Sequence, residues 1–142
     1  MPASASGPEL LVDTSIAVAI TVADHEHHET AFQAVGSRRL GLAGHAAFET
    51  FSVLTRLPPP ARRTPATVAR LLGANFPHSR FLSAEAAARL LSELPALGIA
   101  GGSVYDALVG MAAREHDAVL ATRDVRALET YRALDVRFEL LT

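Results

Sequence analysis

Apolar residues along this chain fall into short continuous runs, separated by longer stretches in which they recur every three or four positions. "ELLVDTS" from residue 9 is an apolar run ending in cap-forming residues, the pattern of a buried strand running into a helix. "RLGLAG", "SRFLS", "DAVLATRD" and "DVRFELL" have the same short strand character. Between them, "IAVAITVADHEHHETAFQAVGS" predicts two short helical pieces with a break near Asp24. "HAAFETFSVLTRL" predicts a helix that "PPP" at 58–60 stops, because proline cannot continue the hydrogen-bond ladder. "TPATVARLLGANF" opens with Thr64 as N-cap and Pro65 at the first helical position. "AEAAARLLSELPALG", the segment from Ser103, and "VRALETYRAL" complete the helices, and residues 1–8 read as a disordered lead.

Strands that alternate with helices, with few two-residue hairpin signals, predict a parallel sheet covered on both faces. Connection rules then favour an α/β fold, a three-layer α/β/α sandwich with a mainly parallel central sheet, spanning residues 9–142 as one domain. Ligands of such sheets collect at the carboxyl ends of the strands. That rule sorts the acidic residues.

Asp13 follows the first strand directly, and Asp124 follows "AVLATR". Asp106 opens a helix whose start points to the same edge, and Glu49 lies about one turn into the helix after "LGLA". Asp117 and Asp135 both precede strands and belong to the opposite edge. Each acid has a plain structural reading: Asp13 and Asp124 as N-caps, Glu49 in a solvated stripe with His45, Ser52 and Arg56. Asp106 resists this, because Val104, Tyr105, Ala107, Leu108, Val109 and Met111 surround it and an unpaired buried carboxylate is costly. Carboxylates converging on one edge raise one another's pKa unless a cation lies between them. A hard divalent ion, Mg²⁺ with Mn²⁺ as a substitute, suits such oxygen ligands.

Composition narrows the chemistry. Of 142 residues, 49% are hydrophobic and 20% charged, a globular balance, and the formal net charge of -2 advertises no global field for nucleic acid. Cysteine is absent, which removes disulfides and thiolate chemistry. All 13 basic residues are arginine, so a P-loop or a Schiff-base mechanism, each needing lysine, is excluded. No apolar run approaches the roughly 18 residues of a membrane span, and a cytoplasmic location without membrane association is expected.

The order "LLVDTS", "AAFETFSVLTRL", "GGSVYDALVGMAA", "LATRD" resembles the PIN-domain ribonucleases, specifically the VapC-type toxins of type II toxin–antitoxin modules. The resemblance runs from about Glu9 to the end, and "RLPPPARR" resembles the proline break after the second acidic helix of these toxins. It implies that Asp13, Glu49, Asp106 and Asp124 form a catalytic, Mg²⁺-holding quartet, supported by the hydroxyls of Thr14 and Thr122. It implies endonucleolytic cleavage of RNA, a cognate VapB-type antitoxin as partner, and a homodimer. Arginines bordering the strand ends and the proline break, Arg56, Arg62, Arg63, Arg123 and Arg126, are expected contacts to RNA phosphate.

Other patterns carry less. "DHEHHE" at 24–29 is read as a solvated helix start rather than a metal site. "GLAGH" lacks a dinucleotide fingerprint, and "GGSVY" is no nucleophile elbow. Two alternative functions are a PIN-like scaffold with little catalysis and a phosphatase-like hydrolase with Asp13 as nucleophile. Ser15 stands where the second aspartate of such a phosphatase belongs.

Overall fold

Strands β1 (Glu9–Val12), β2 (Arg39–Leu42), β3 (Val119–Thr122) and β4 (Phe138–Leu140) pair in the order β2-β1-β3-β4, every pair parallel. The computed structural model describes residues 9–142, so the lead expected over 1–8 lies outside the described residues. β1 is central, with Val12 in register between Leu42 and Ala121. Helices α1 (Thr14–Thr21) and α2 (His28–Val35) carry the chain from β1 to β2. Helices α3 (Ala46–Thr55), α4 (Pro65–Asn75), α5 (Ala84–Leu97) and α6 (Ser103–Glu115) lead to β3. A 3₁₀ turn (Val125–Ala127) and α7 (Leu128–Ala133) lead to β4.

Successive side chains of a strand point to opposite faces, so a continuous apolar run feeds two cores. On one face Leu10, Val12 and Ala121 pack with Ile16, Ile20, Ala31 and Val35 from α1 and α2. On the other, Leu11 and Leu120 pack with Leu90, Ala107, Val109 and Tyr131 from α5, α6 and α7. This is the expected three-layer α/β/α sandwich. No helix among the described residues is long and apolar enough to cross a membrane.

The helix ends follow local chemistry. Thr64 caps α4, its hydroxyl accepting from Thr67 N–H at 3.2 Å, with Pro65 next. Ser83 caps α5 in the same way, accepting from Ala86 N–H at 3.1 Å. Gly98, at φ 69°, closes α5 in the left-handed region that glycine tolerates best. α3 stops at Thr55, before the proline run begins at Pro58.

One expected strand does not form. "SRFLS" makes only an isolated parallel bridge, Arg80 with Ala43. The segment does run beside β2: His78 and Arg80 N–H groups donate to Leu40 and Leu42 carbonyls at 3.0 and 3.1 Å. Leu42 N–H, however, donates to the Ser79 hydroxyl at 2.9 Å, so a side chain stands where the ladder needs a backbone carbonyl. The approach is close at Gly41, where an added Cβ would lie 2.1 Å from the His78 carbonyl oxygen.

That contact makes Gly41 the tightest steric point of the β2 edge. Gly41→Ala should destabilise the protein by about 2 kcal/mol or more, since neither backbone can yield without breaking this pairing. Gly73 lies inside α4 with nothing within 4 Å of an added Cβ. Gly73→Ala should therefore stabilise by roughly 0.5–1 kcal/mol through helix propensity. Urea denaturation of both variants checks the pair, and equal midpoints would contradict it.

Candidate active site

β1 and β3 end side by side, and the turns that follow them bring Asp13 and Asp124 to one edge of the sheet. α6 runs back toward the start of β3 through the short turn at 116–118, so its first turn, with Asp106, lies over that same edge. α3 leaves the end of β2 and places Glu49 in its first turn. Asp13, Glu49, Asp106 and Asp124 accordingly line one small cavity of about 60 Å³, together with Thr14, Ser15, Val109 and Tyr131. Among the described residues, no basic side chain lines it. Asp117 and Asp135, at φ 53° and 56°, form the turns that enter β3 and β4 from the opposite edge, as expected.

Asp13 is both cap and cavity wall. It is the N-cap of α1, with Oδ1 accepting from Ile16 N–H at 3.3 Å and from the Ser15 hydroxyl at 2.5 Å. Its Oδ2 accepts from the Thr122 hydroxyl and from Tyr131 OH, the latter at 3.3 Å. Burial pushes this carboxyl above its usual range, and the hydrogen bonds from Ser15, Thr122, Ile16 and Tyr131 oppose the shift. Burial and the Asp13 charge in turn push the Tyr131 phenol up, so it remains a donor.

The hydroxyls tie the two strand ends together. Thr122, fully buried, donates to Asp13 and accepts from Asp124 N–H at 3.0 Å. Ser15 donates to Asp13 and accepts from Arg123 N–H at 2.9 Å. Asp124 itself caps the 3₁₀ turn, its Oδ1 accepting from Arg126 N–H at 3.0 Å and standing 3.4 Å from Arg126 Nε.

Asp106 has no such structural task. It is not the cap of α6, whose N-cap position is Gly102 with no side-chain bond. Its pKa is raised to about 6, first by burial and then by the charges of Asp124, Glu49 and Asp13, with Arg126 opposing and no hydrogen bond relieving it. A half-buried carboxylate facing three others is the least satisfied group of the cavity.

The cavity opens into a groove of about 970 Å³ that shares Glu49, Asp106 and Asp124 with it. His45, Phe48, Ser52 and Arg56 of the α3 side, Tyr105 of α6, and Arg126 complete its main walls. The polar stripe on α3, read from sequence as solvated, is thus one wall of a groove. His45 Nε2 stands 3.8 Å from Glu49 Oε1, and its ring stacks on Tyr105 at 5.0 Å between centroids.

Of the five arginines singled out as phosphate contacts, Arg56 and Arg126 line this groove. Arg62 and Arg63 instead fold back around the proline segment, donating to the Leu57 and Ala61 carbonyls at 2.8 and 2.5 Å. Arg123 lies within electrostatic reach of His25 and is not among the groove's lining residues. The histidine run behaves as a helix start: His28 begins α2 with Nδ1 2.9 Å from the Ala19 carbonyl oxygen, and His25 Nδ1 accepts from His27 N–H.

Sequence reasoning passed over Ser15 and Tyr131. Ser15 was visible only as the residue breaking a phosphatase spacing. Tyr131 had an indirect signal in Gly110, one turn after Asp106, where an added Cβ would meet the Tyr131 ring at 3.0 Å. A glycine inside an apolar helix marks the close approach of something large.

Among the described residues, no three histidine, aspartate or glutamate side chains already stand as a complete metal-ligand set. The Asp13 oxygens are engaged by hydroxyls, Asp124 by Arg126, and Glu49 lies beside His45. The donor chemistry nevertheless fits a hard cation: all-oxygen groups around a cavity with room for an ion and a few waters, and no positive side chain among them.

Comparison with known proteins shows the family and the fold. A model of the PIN domain family matches residues 10–133. Ribonuclease VapC27 of Mycobacterium tuberculosis is 46% identical over 129 residues, covering 91% of this chain and 94% of that protein. Ribonuclease VapC40 of the same organism is 46% identical over 132 residues, covering 92% and 97%. In solved structures, the fold is similar to a chain of VapBC2 from Rickettsia felis bound to a promoter DNA fragment, at TM-score 0.67 and 14% identity over 94% of this chain and 99% of that one. It is similar as well to a chain of VapBC-1 from nontypeable Haemophilus influenzae, at TM-score 0.61 and 16% identity over 94% and 98%.

The repulsion around Asp106 should be measurable without any substrate. A carboxyl whose folded pKa is raised from 3.8 to about 6 favours the folded state below its unfolded pKa and loses that contribution as pH rises through about 6. Asp106→Asn removes the ionisation. In metal-free buffer the Tm advantage of Asp106→Asn over the parent chain should therefore widen between about pH 4 and pH 7. A pH-independent difference in calorimetry would contradict it.

Proposed function

The chain belongs to the PIN-domain family, among its VapC ribonucleases, and on that premise we propose that it is the endoribonuclease toxin of a toxin–antitoxin module. It hydrolyses RNA phosphodiester bonds with a divalent cation, Mg²⁺ or Mn²⁺, held by Asp13, Glu49, Asp106 and Asp124. A VapB-type antitoxin restrains it, and it acts in the cytoplasm as a homodimer. One observation carries the metal-dependent reading: among the described residues, Asp106 is a half-buried carboxylate without a capping role, ion pair or hydrogen bond, facing three more carboxylates across a cavity that no arginine lines.

When bound, the cation supplies Lewis-acid charge that polarises a phosphate oxygen and eases proton loss from the attacking water. The protein's own part is positioning. Ser15, Thr122 and Tyr131 hold the Asp13 carboxylate in one orientation, because each donates to it from a part of the fold that cannot move independently. Thr14 lines the cavity at the first residue of α1, where its hydroxyl serves waters of the site. Glu49 and Asp124, which line the same cavity, would help hold the ion, and the exposed Arg126 beside Asp124 would meet a phosphate oxygen. Arg56 contacts the strand at the far side of the groove.

The alternatives fit less well. A phosphatase needs Asp13 free to attack, whereas Asp13 is 5% exposed and both its oxygens accept hydrogen bonds. A scaffold without catalysis has no use for the unrelieved charge at Asp106.

RNA cleavage should cease in excess EDTA and return with Mg²⁺ or Mn²⁺. Asp106→Asn should lower cleavage by more than the roughly 10–100-fold expected for a partner outside the metal's immediate ligands. Asp117→Ala, on the opposite edge with its carboxylate paired to Arg137 at 2.8 Å, should stay within about twofold. Gel assays of a single-stranded RNA decide the matter, and cleavage that persists under full chelation would count against the proposal.

A further inference from the structure

The groove beside the acids has an aromatic floor that metal chemistry does not need. Tyr105 immediately precedes Asp106 on α6, lines the groove and remains 52% exposed. Its ring is stacked on His45, with centroids 5.0 Å apart and 26° between planes. His45 Nε2 in turn lies 3.8 Å from Glu49 Oε1. Farther along the same wall, Phe48 is 64% exposed and lies 6.1 Å from the half-exposed ring of Phe81. Large aromatic rings left this open on a monomer mark a binding surface.

The charges around them select the occupant. Arg56 and Arg126 line the same groove, and the Arg126 side chain is 93% exposed. The groove is continuous with the acid cavity through Glu49, Asp106 and Asp124. A phosphodiester seated at the acids therefore puts its flanking nucleotide against Tyr105, with neighbouring phosphates near the two arginines. Rings offer flat faces to any base, and guanidinium groups bind phosphate without regard to sequence. A base inside a duplex has both faces covered by its neighbours, and only an unpaired base can use such a platform.

We propose that the His45–Tyr105 stack is a platform for the unpaired nucleobase beside the scissile phosphate, with Tyr105 supplying the exposed face. The inference rests on the ribonuclease reading above and deepens it. Tyr105 is a substrate-binding residue here, and His45 is the positioning residue behind it.

The test separates binding from cleavage. The full chain carrying Asp106→Asn is titrated with a short single-stranded RNA containing 2-aminopurine, whose fluorescence is quenched when it stacks on an aromatic ring. Adding Tyr105→Ala should abolish most of the quenching and weaken binding roughly tenfold, while Tyr105→Phe and Tyr105→Trp retain both. In the cleaving protein, Tyr105→Ala should raise KM more than it lowers kcat. That penalty should shrink on RNA carrying an abasic linker beside the cut, where there is no base to lose. Fully paired RNA of the same sequence should bind more weakly than the single strand.

Unchanged quenching and KM in Tyr105→Ala, or equal affinity for paired and unpaired RNA, would overturn the platform and leave the aromatic wall to a protein partner. Either result is distinct from failure of the ribonuclease reading, which shows as cleavage indifferent to chelation in the parent chain.

Discussion

Like charges held together with too little counter-charge are the constraint on which this molecule turns. Asp13, Glu49, Asp106 and Asp124 share a cavity, and the residues lining it include no arginine, while lysine is absent from the chain altogether. Folding thus gathers negative charge that the protein's own side chains offset only in part, through Arg126 beside Asp124. Part of the cost is met by hydrogen bonding at Asp13 and by helix-start amides at Asp13 and Asp124. The remainder shows at Asp13, which burial still holds above its usual range, and at Asp106, whose carboxyl is pushed up to about 6. Strain of this kind, retained at one edge of an otherwise satisfied fold, marks a place built for something that arrives from outside.

The fold imposes the gathering through short elements. Each strand ends where its neighbours end, because parallel pairing in register aligns the carboxyl termini of β2, β1 and β3. A helix starts soon after each end and wants an acceptor at its first amides, so aspartate is favoured there for local reasons alone. Cap and site are therefore not competing readings of Asp13 and Asp124: the bond that starts the helix also aims the carboxylate. Thr122 and Ser15 then join β3 to the start of α1 through Asp13, coupling the stability of the central strands to the shape of the cavity.

Much of this was legible in the chain. Alternating apolar runs and helical spacing point to the layer architecture, and the rule that ligands collect at carboxyl ends separates Asp13 and Asp124 from Asp117 and Asp135. What stayed hidden depends on side-chain geometry. Tyr131 reaches Asp13 from a helix 118 residues away in sequence, and only the glycine at 110 hinted at it. "SRFLS" has strand composition, yet one serine hydroxyl answering Leu42 N–H is enough to replace the ladder. Arg62 and Arg63 looked like phosphate contacts because they border the prolines, and those same prolines turn the chain so that its own carbonyls receive them.

The most direct measurement is the anomalous scattering of Mn²⁺ in a crystal of the full chain grown at neutral pH, collected above and below the manganese edge. The account predicts a peak inside the small cavity, within bonding reach of Asp13 and Asp106 carboxylate oxygens, with the Glu49 and Asp124 side chains turned toward it. A cavity without a peak at saturating Mn²⁺, or manganese held instead by the histidines at 25–28, would contradict the claim that these four acids exist to share a cation.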